Sequence, residues 1–343
     1  MQVNRTTLVA VSAIAVVSMA VLSGCTGSQP VPTPSYTPTY VPPPATSIAP
    51  LRGTTVPADT LLNPALAAKV DNHEEARPQY GLGHADIVFE ELVEGGLTRY
   101  VAFWQSDIPA QIGPVRSIRP MDPDIITPFG GIVAYSGGQQ RFVEMMIDTP
   151  ILNIIDGSDA AEGLLYRTSD KDGPHNVGVA AQTIISQHMD LGRAPQMFAY
   201  SSSVATSSAM RDGSPGSSIN VTFSDERYPT WTFDSAANGY LRYQEGSVAD
   251  MTDEGGQITA TNVVVMTVGI DWQYGPVPRT IMVDSGEAWV STGGKTIHGT
   301  WVKDSREARI RLSDDFGVGI RLAPGNTWIE MPPRDGGSVV VNP

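Results

Sequence analysis

From Ile219 onward the chain is cut into short strand-like runs by Gly, Pro, Asn and Asp, and no convincing helical stretch interrupts them. The runs are Ile219–Ser224, Thr230–Asp234, Gly239–Gln244, Asn262–Ile270, Arg279–Asp284, Glu287–Ser291, Lys295–Lys303, Ala308–Leu312, Val318–Leu322 and Thr327–Met331. Val, Ile, Thr and aromatic residues recur in them, side chains that suit a pleated, half-buried surface. Segments this short, each closed by a turn former, point to a sandwich or barrel. Trp231, Trp272, Trp289, Trp301 and Trp328, five of the six tryptophans, fall here. Residues 219–343 are therefore expected to form a β-rich domain.

Residues 58–200 have a different texture. Ala65–Val70, Asp86–Val93, Thr98–Gln105 and Gly131–Tyr135 read as strands, and Gly95-Gly96 between the second and third predicts a hairpin. Gln139–Asp148 and Val177–Met189 read as helices, the second with Asn176 as its N-cap. The expected class is α+β, a mixed α/β N-terminal domain followed by the β-rich one. Ser201–Ser218, rich in Ser with Gly and Pro, reads as a linker or long surface loop between them.

Ahead of both lies a targeting segment, residues 1–25. Arg5 supplies a positive start and Leu8–Leu22 is an uncharged apolar stretch. That stretch is shorter than the roughly 20 residues a membrane-spanning helix needs. It ends in Leu22-Ser23-Gly24-Cys25, which resembles the bacterial lipobox, where the cysteine thiol receives lipid. Lipidation at Cys25, with palmitate-type acyl chains, would hold the mature protein on the extracytoplasmic face of the cell membrane. Residues 26–57 are dense in Pro and Thr and read as a polyproline-II tether.

Charge narrows the possible partners. The chain carries 22 Lys and Arg against 36 Asp and Glu, a formal charge of −14, which argues against nucleic acid as a partner. A single cysteine excludes a disulfide scaffold and any Cys-rich metal centre. If that cysteine carries lipid, thiol nucleophile chemistry is excluded as well.

Five polar segments of the first domain are candidates for chemistry. Lys69–Gln79 delivers Asp71, Asn72 and His73 at the end of an apolar run, and a polar loop satisfying its own turn is the plain alternative. In Ala85–Arg99, strand alternation puts Asp86, Glu90 and Glu94 on one face and Glu91 on the other. A carboxylate in an apolar strand needs a counter-charge or takes a raised pKa, and Arg99 across the hairpin is the expected partner. Gly113–Pro120 brings Arg116 and Arg119, suited to forked recognition of carboxylate or phosphate. One helical turn would point both the same way, while pairing with Asp122, Asp124 or the glutamates is the structural alternative. Tyr135–Gln140 runs through Ser136 and two glycines into a helix, a junction that aims backbone N–H groups at an anion. Last, Arg167 and Pro174-His175-Asn176 set a histidine before a helix, as acid/base or cap.

No His-Glu-x-x-His, P-loop, nucleophile elbow, EF-hand or dinucleotide fingerprint occurs. Asp71 and His73 have no diagnostic metal spacing, so no metal or cofactor is assigned.

Taken together, VDNHEEARPQYGL (Val70–Leu82), ADIVFEELVEGGLTRYVAFW (Ala85–Trp104), IGPVRSIRP (Ile112–Pro120) and PHN (Pro174–Asn176) resemble one family, the YerB-like bacterial lipoproteins. TNVVVM (Thr261–Met266), GTWVK (Gly299–Lys303) and APGNTWIEMP (Ala323–Pro332) extend the resemblance into the second half. It implies one evolutionary unit of two parts with no agreed reaction, and it carries over no catalytic role.

The expected function is binding or processing of an anionic envelope ligand, a glycan, peptide or phosphate-containing polymer, in an Arg- and carboxylate-lined cleft. Arg99, Arg116 and Arg119 would hold the anion, with Asn72, Ser136, Arg167 and Asn176 as further binding residues. Asp71 and Glu90 would polarise or protonate and His175 would assist. The alternatives are an assembly scaffold using the Trp-bearing domain as a partner surface, and a solute-binding module.

Overall fold

The structure, a computed structural model, describes residues 42–343. The expected targeting segment, Cys25 and residues 26–41 of the tether lie outside the described residues. Residues 44–343 form one compact unit. Its principal strands, in chain order, are β1 (Leu66–Asp71), β2 (Ile87–Leu92), β3 (Thr98–Trp104), β4 (Ile132–Tyr135), β5 (Leu152–Ile155), β6 (Ser218–Thr222) and β7 (Thr230–Asp234). They continue with β8 (Gly239–Gln244), β9 (Asn262–Met266), β10 (Ser285–Thr292), β11 (Lys295–Val302), β12 (Thr327–Met331) and β13 (Ser338–Asn342).

An 11-stranded sheet is the backbone of the fold. Its order is Ser214–Pro215, β11, β10, β9, β12, β2, β3, β1, β4, β5, with Arg311–Asp314 also paired to β11. Strands from both halves of the sequence meet in it: β12 lies parallel to β2, with Glu330 opposite Glu90, and parallel to β9 on its other edge. A second sheet, built on β8, β7, β6 and β13, covers one face. Val88, Tyr100 and Trp104 pack there with Ile219, Trp231 and Tyr240. Phe89, Phe103 and Val133 point the other way, against Met121, Phe129 and Phe142. With both faces covered, β1, β2 and β3 are buried along their whole length. That is why both faces of these strands carry apolar side chains, Val88 and Phe89 on β2 and Tyr100 and Val101 on β3.

The fold is strand-rich. The α-helices of the first half are short, Asp122–Ile126, Gln140–Ile147 and Ala181–Gln187. The predicted hairpin forms between β2 and β3, and Gly95 and Gly96 take positive φ (71° and 74°) in its turn. The helix expected over Val177–Met189 begins only at Ala181; Val177–Ala180 is a strand between Leu165–Arg167 and Gln111–Ile112. Its Val-Gly-Val start favours extended backbone, so Asn176 caps nothing: its side chain meets Arg167 and the Thr168 carbonyl. Val318–Leu322 makes isolated bridges only, whereas Ser338–Asn342, not anticipated, adds the edge strand beside β6.

Two expected connectors are packed structure. Thr46–Ile48 and Thr55–Pro57, inside the expected tether, form an antiparallel ribbon, and Ala49 and Leu51 are fully buried. Ser208–Asp212 in the expected linker is a helical turn with Ala209 buried, and Ser214–Pro215 pairs with β11. Arg52 ties the ribbon down: its Nε donates to Asp86 at 2.5 Å and its Nη2 to the His84 carbonyl at 3.1 Å. Asp86, fully buried, also accepts the Gln105 and Ser106 amides at 2.7 and 2.8 Å. Arg52→Ala removes only one of these partners, so a loss of about 1–2 kcal/mol is expected from the urea midpoint. An unchanged midpoint would mean that the ribbon is not held through this pair.

Candidate functional site

Asp71 ends β1 and is the direct cross-strand neighbour of Arg99 on β3. The irregular segment Val115–Arg119 runs beside them, with Val115 bridging Val70 and the Arg116 amide donating to the Lys69 carbonyl at 2.8 Å. His175 arrives from the loop before Val177–Ala180, where Gly113 takes φ 122° close to the Val177 carbonyl. These separate stretches enclose a hollow of about 210 Å³. Asp71, Arg99, Arg116, Arg119 and His175 line it, together with His73, Glu94, Thr98 and the apolar Val93 and Leu97.

The charges in the hollow are arranged as partners with one remainder. Asp71 takes the Nδ1 of His175 at 2.7 Å and the Nε of Arg116 at 3.2 Å. The Arg119 Nε donates to Glu94 at 2.8 Å. Burial works against the Glu94 carboxylate, but the Arg119 hydrogen bond and charge overcome it and hold its pKa below the usual value. Arg99, 9% exposed, donates to the Ser117 carbonyl at 2.9 Å and makes no salt bridge among the described residues. Burial first, then the charge of Arg119, bring its pKa down to about 10. Three guanidiniums against two carboxylates leave one positive charge over before the imidazoles are considered.

Arg116 and Arg119 thus reach the same hollow, although not through the helical turn that their spacing suggested: helix begins at Asp122. Glu90 does not line the hollow. It is fully buried behind Thr98, which donates to it at 2.5 Å, and its counter-charge is Arg242 of β8 rather than Arg99. Glu91 on the opposite face pairs with buried Lys69, which also holds Asp122 at 2.8 Å. Asn72 is buried in the same layer as Glu90, donating to Thr98 at 2.9 Å and accepting from Gln244 at 3.0 Å.

Ser136 lies outside the hollow, its amide donating to the Arg116 carbonyl at 3.1 Å. Arg167 and Asn176 pair with each other at 3.1 Å, and Arg167 also meets Asp156 at 2.9 Å. The hollow's further lining residues, His73 and Glu94, stood in segments that the sequence did mark, one after Asp-Asn and one before Gly-Gly. Strand alternation put Glu94 on the face of Glu90, but β2 ends at Leu92 and Glu94 lies in the turn, so its side chain leaves that face for Arg119.

The fold and hollow define a strand-rich protein of two interleaved halves with a basic pocket in an otherwise acidic chain. Residues 52–193 match the N-terminal domain, and residues 219–329 the C-terminal domain, of proteins of unknown function (DUF3048). A relative described as "Putative lipoprotein YerB", from Bacillus subtilis (strain 168), is 26% identical over 292 residues, 83% of this chain and 86% of its own. The crystal structure of the YerB protein from Bacillus subtilis shares the fold, with a TM-score of 0.71 at 24% identity, over 86% of this chain and 99% of that one. The chain belongs to this YerB-like family. No helix among the described residues is long and apolar enough to cross a membrane.

Proposed function

We propose that the chain is a lipoprotein, anchored through Cys25 on the extracytoplasmic face of the cell membrane, that binds an anionic group of an envelope polymer or peptide in the arginine hollow. The observation that carries the reading is Arg99: a buried guanidinium, flanked by Arg116 and Arg119, without a carboxylate of its own. Desolvating a cation without pairing it is costly, and a ligand phosphate or carboxylate would supply the missing charge. At about 210 Å³ the hollow suits a compact anionic head rather than a whole glycan unit. Asp71 and His175, joined at 2.7 Å, offer a proton-handling pair beside it, a role from which Glu90 is removed by its burial against Arg242.

Arg99→Gln tests this reading. The variant keeps a donor for the Ser117 carbonyl and relieves the repulsion with Arg119, so its melting temperature should equal or exceed the parent's. Retention of the protein on purified cell-wall fractions should fall at least tenfold. A variant that melts much lower while still binding would make Arg99 a structural residue and end the proposal.

A second reading rests on the far end of the central sheet. There a hollow of about 700 Å³ is lined by half-buried Trp289 and His298 and by Phe316, which is 92% exposed. An exposed aromatic beside a concave surface suits a partner protein or sugar face, the scaffold alternative.

A further inference from the structure

His73, Glu75 and His175 stand in a relation that anion binding does not use. One ligand atom from each lies within 4.8 Å of the other two. The two imidazole rings stack with centroids 4.4 Å apart, and His175 Nε2 is 3.3 Å from a Glu75 carboxylate oxygen. The other nitrogen of His175, Nδ1, is engaged by Asp71 at 2.7 Å. That contact fixes the ring and leaves Nε2 as its free donor atom. A carboxylate on the far nitrogen of a histidine is the support that metal-ligating imidazoles generally carry.

From this geometry we infer that His73, Glu75 and His175 bind a divalent transition metal of the zinc class at the rim of the arginine hollow. Two imidazole nitrogens and one carboxylate are a zinc-type donor set, whereas magnesium and calcium call for oxygen ligands. Tetrahedral zinc needs its ligand atoms roughly 3.3 Å apart, given metal–nitrogen bonds of about 2.0–2.1 Å. His175 is 7% exposed and held in place, while His73 and Glu75 have side chains 35% and 65% exposed, so rotation of these two closes the set. The cost is the 3.2 Å hydrogen bond from the Glu75 amide to His73 Nδ1 at the start of a three-residue turn, together with the stacking on His175 and the 3.7 Å approach of His73 Nε2 to Glu74. Glu74 and Asp71 add negative charge around the site. Three protein ligands leave a fourth position for water or a ligand atom, the arrangement of reactive rather than structural zinc. His73 and His175 both line the hollow, so an anion held by the arginines would lie beside the metal.

The test uses the full chain in detergent, stripped with a chelator and titrated with zinc(II) by calorimetry, with cobalt(II) absorption reporting coordination geometry. One zinc per chain is expected. His73→Asn and Glu75→Gln, both at exposed or half-exposed positions, should each weaken it at least tenfold with unchanged melting temperature. Asp71→Asn, acting through His175, should weaken it about 10–100-fold. Absence of binding, or equal binding in parent and all three variants, overturns the site. So does zinc binding that survives His73→Asn and Glu75→Gln but not Asp71→Asn, which would assign the metal to other ligands. None of these outcomes depends on whether Arg99 binds an anion.

Discussion

Replacing Arg242 by Met is expected to destabilise the protein by about 3–5 kcal/mol at neutral pH. Arg242 is fully buried between the two sheets. It comes from β8 of the covering sheet and pairs with Glu90 on β2, with Asp250 at 2.6 Å, and more distantly with Glu330 on β12 at 3.8 Å. Its guanidinium also lies 5.1–5.7 Å from the ring centroids of Tyr100, Trp231 and Trp328. Methionine fills the space and keeps the aromatic contacts, so the loss isolates the charge. What remains is a set of buried carboxylates that have lost the cation touching all of them, and such a remainder is far worse than no charges at all. The loss should therefore shrink as pH falls and the carboxyls protonate. Urea midpoints at pH 7 and pH 4 decide it: a deficit below about 1 kcal/mol at pH 7, or one independent of pH, would mean that water reaches the cluster. Adding Glu90→Gln to Arg242→Met should restore part of the stability, a coupling that two independent sites would not show.

This cluster also marks the limit of what was legible in the sequence. The strands Thr230–Asp234, Gly239–Gln244 and Thr327–Met331 form over the residues that the pattern names, because local alternation and turn residues determine them. Five members of the arginine hollow were likewise visible as residue types, since Arg, Asp and His stand out in short segments between apolar runs. Partnership was not visible. Glu90 has Arg99 within a hairpin's reach, yet Arg99 faces the hollow and Glu90 meets a guanidinium 152 residues away. Alternation does separate Glu90 from Glu91, and they do part to opposite cores, but it cannot say which layer will cover each core. The misread helix at Val177 has a related cause. Val177–Ala180 is extended because two other strands border it, and those neighbours, Gln111–Ile112 and Leu165–Arg167, are too short to announce themselves. Likewise the ribbon at residues 46–57 looks like tether in composition and is held by Arg52 reaching 34 residues onward to Asp86.

Glu330→Gln should act in the opposite direction to Arg242→Met and raise stability at neutral pH. Glu330 is fully buried; one oxygen accepts the Trp231 indole N–H at 2.7 Å and the other has no hydrogen-bond partner. Burial first, then the negative charge of Glu90 beside it, push its pKa well above the usual carboxylate value. The folded protein therefore holds this proton at pH values where the unfolded chain has released it, and folding takes up a proton. The contribution of Glu330 to stability is therefore greatest below the ordinary carboxylate range and falls as pH rises, by up to about 1.4 kcal/mol per pH unit, until the folded group ionises too. Glutamine keeps an acceptor for Trp231 and can donate to Glu90, and it has no proton to take up. Its advantage over the parent should be negligible near pH 4 and widen steadily towards pH 7, read as diverging urea midpoints. A constant offset between the two curves would mean that Glu330 is ionised in the folded protein. In that case Arg242 balances three full charges, and the loss in Arg242→Met should sit at the upper end of its range. The two variants thus measure the same buried charge from opposite sides, one by removing the cation and one by removing the acid that the cation leaves incompletely paired.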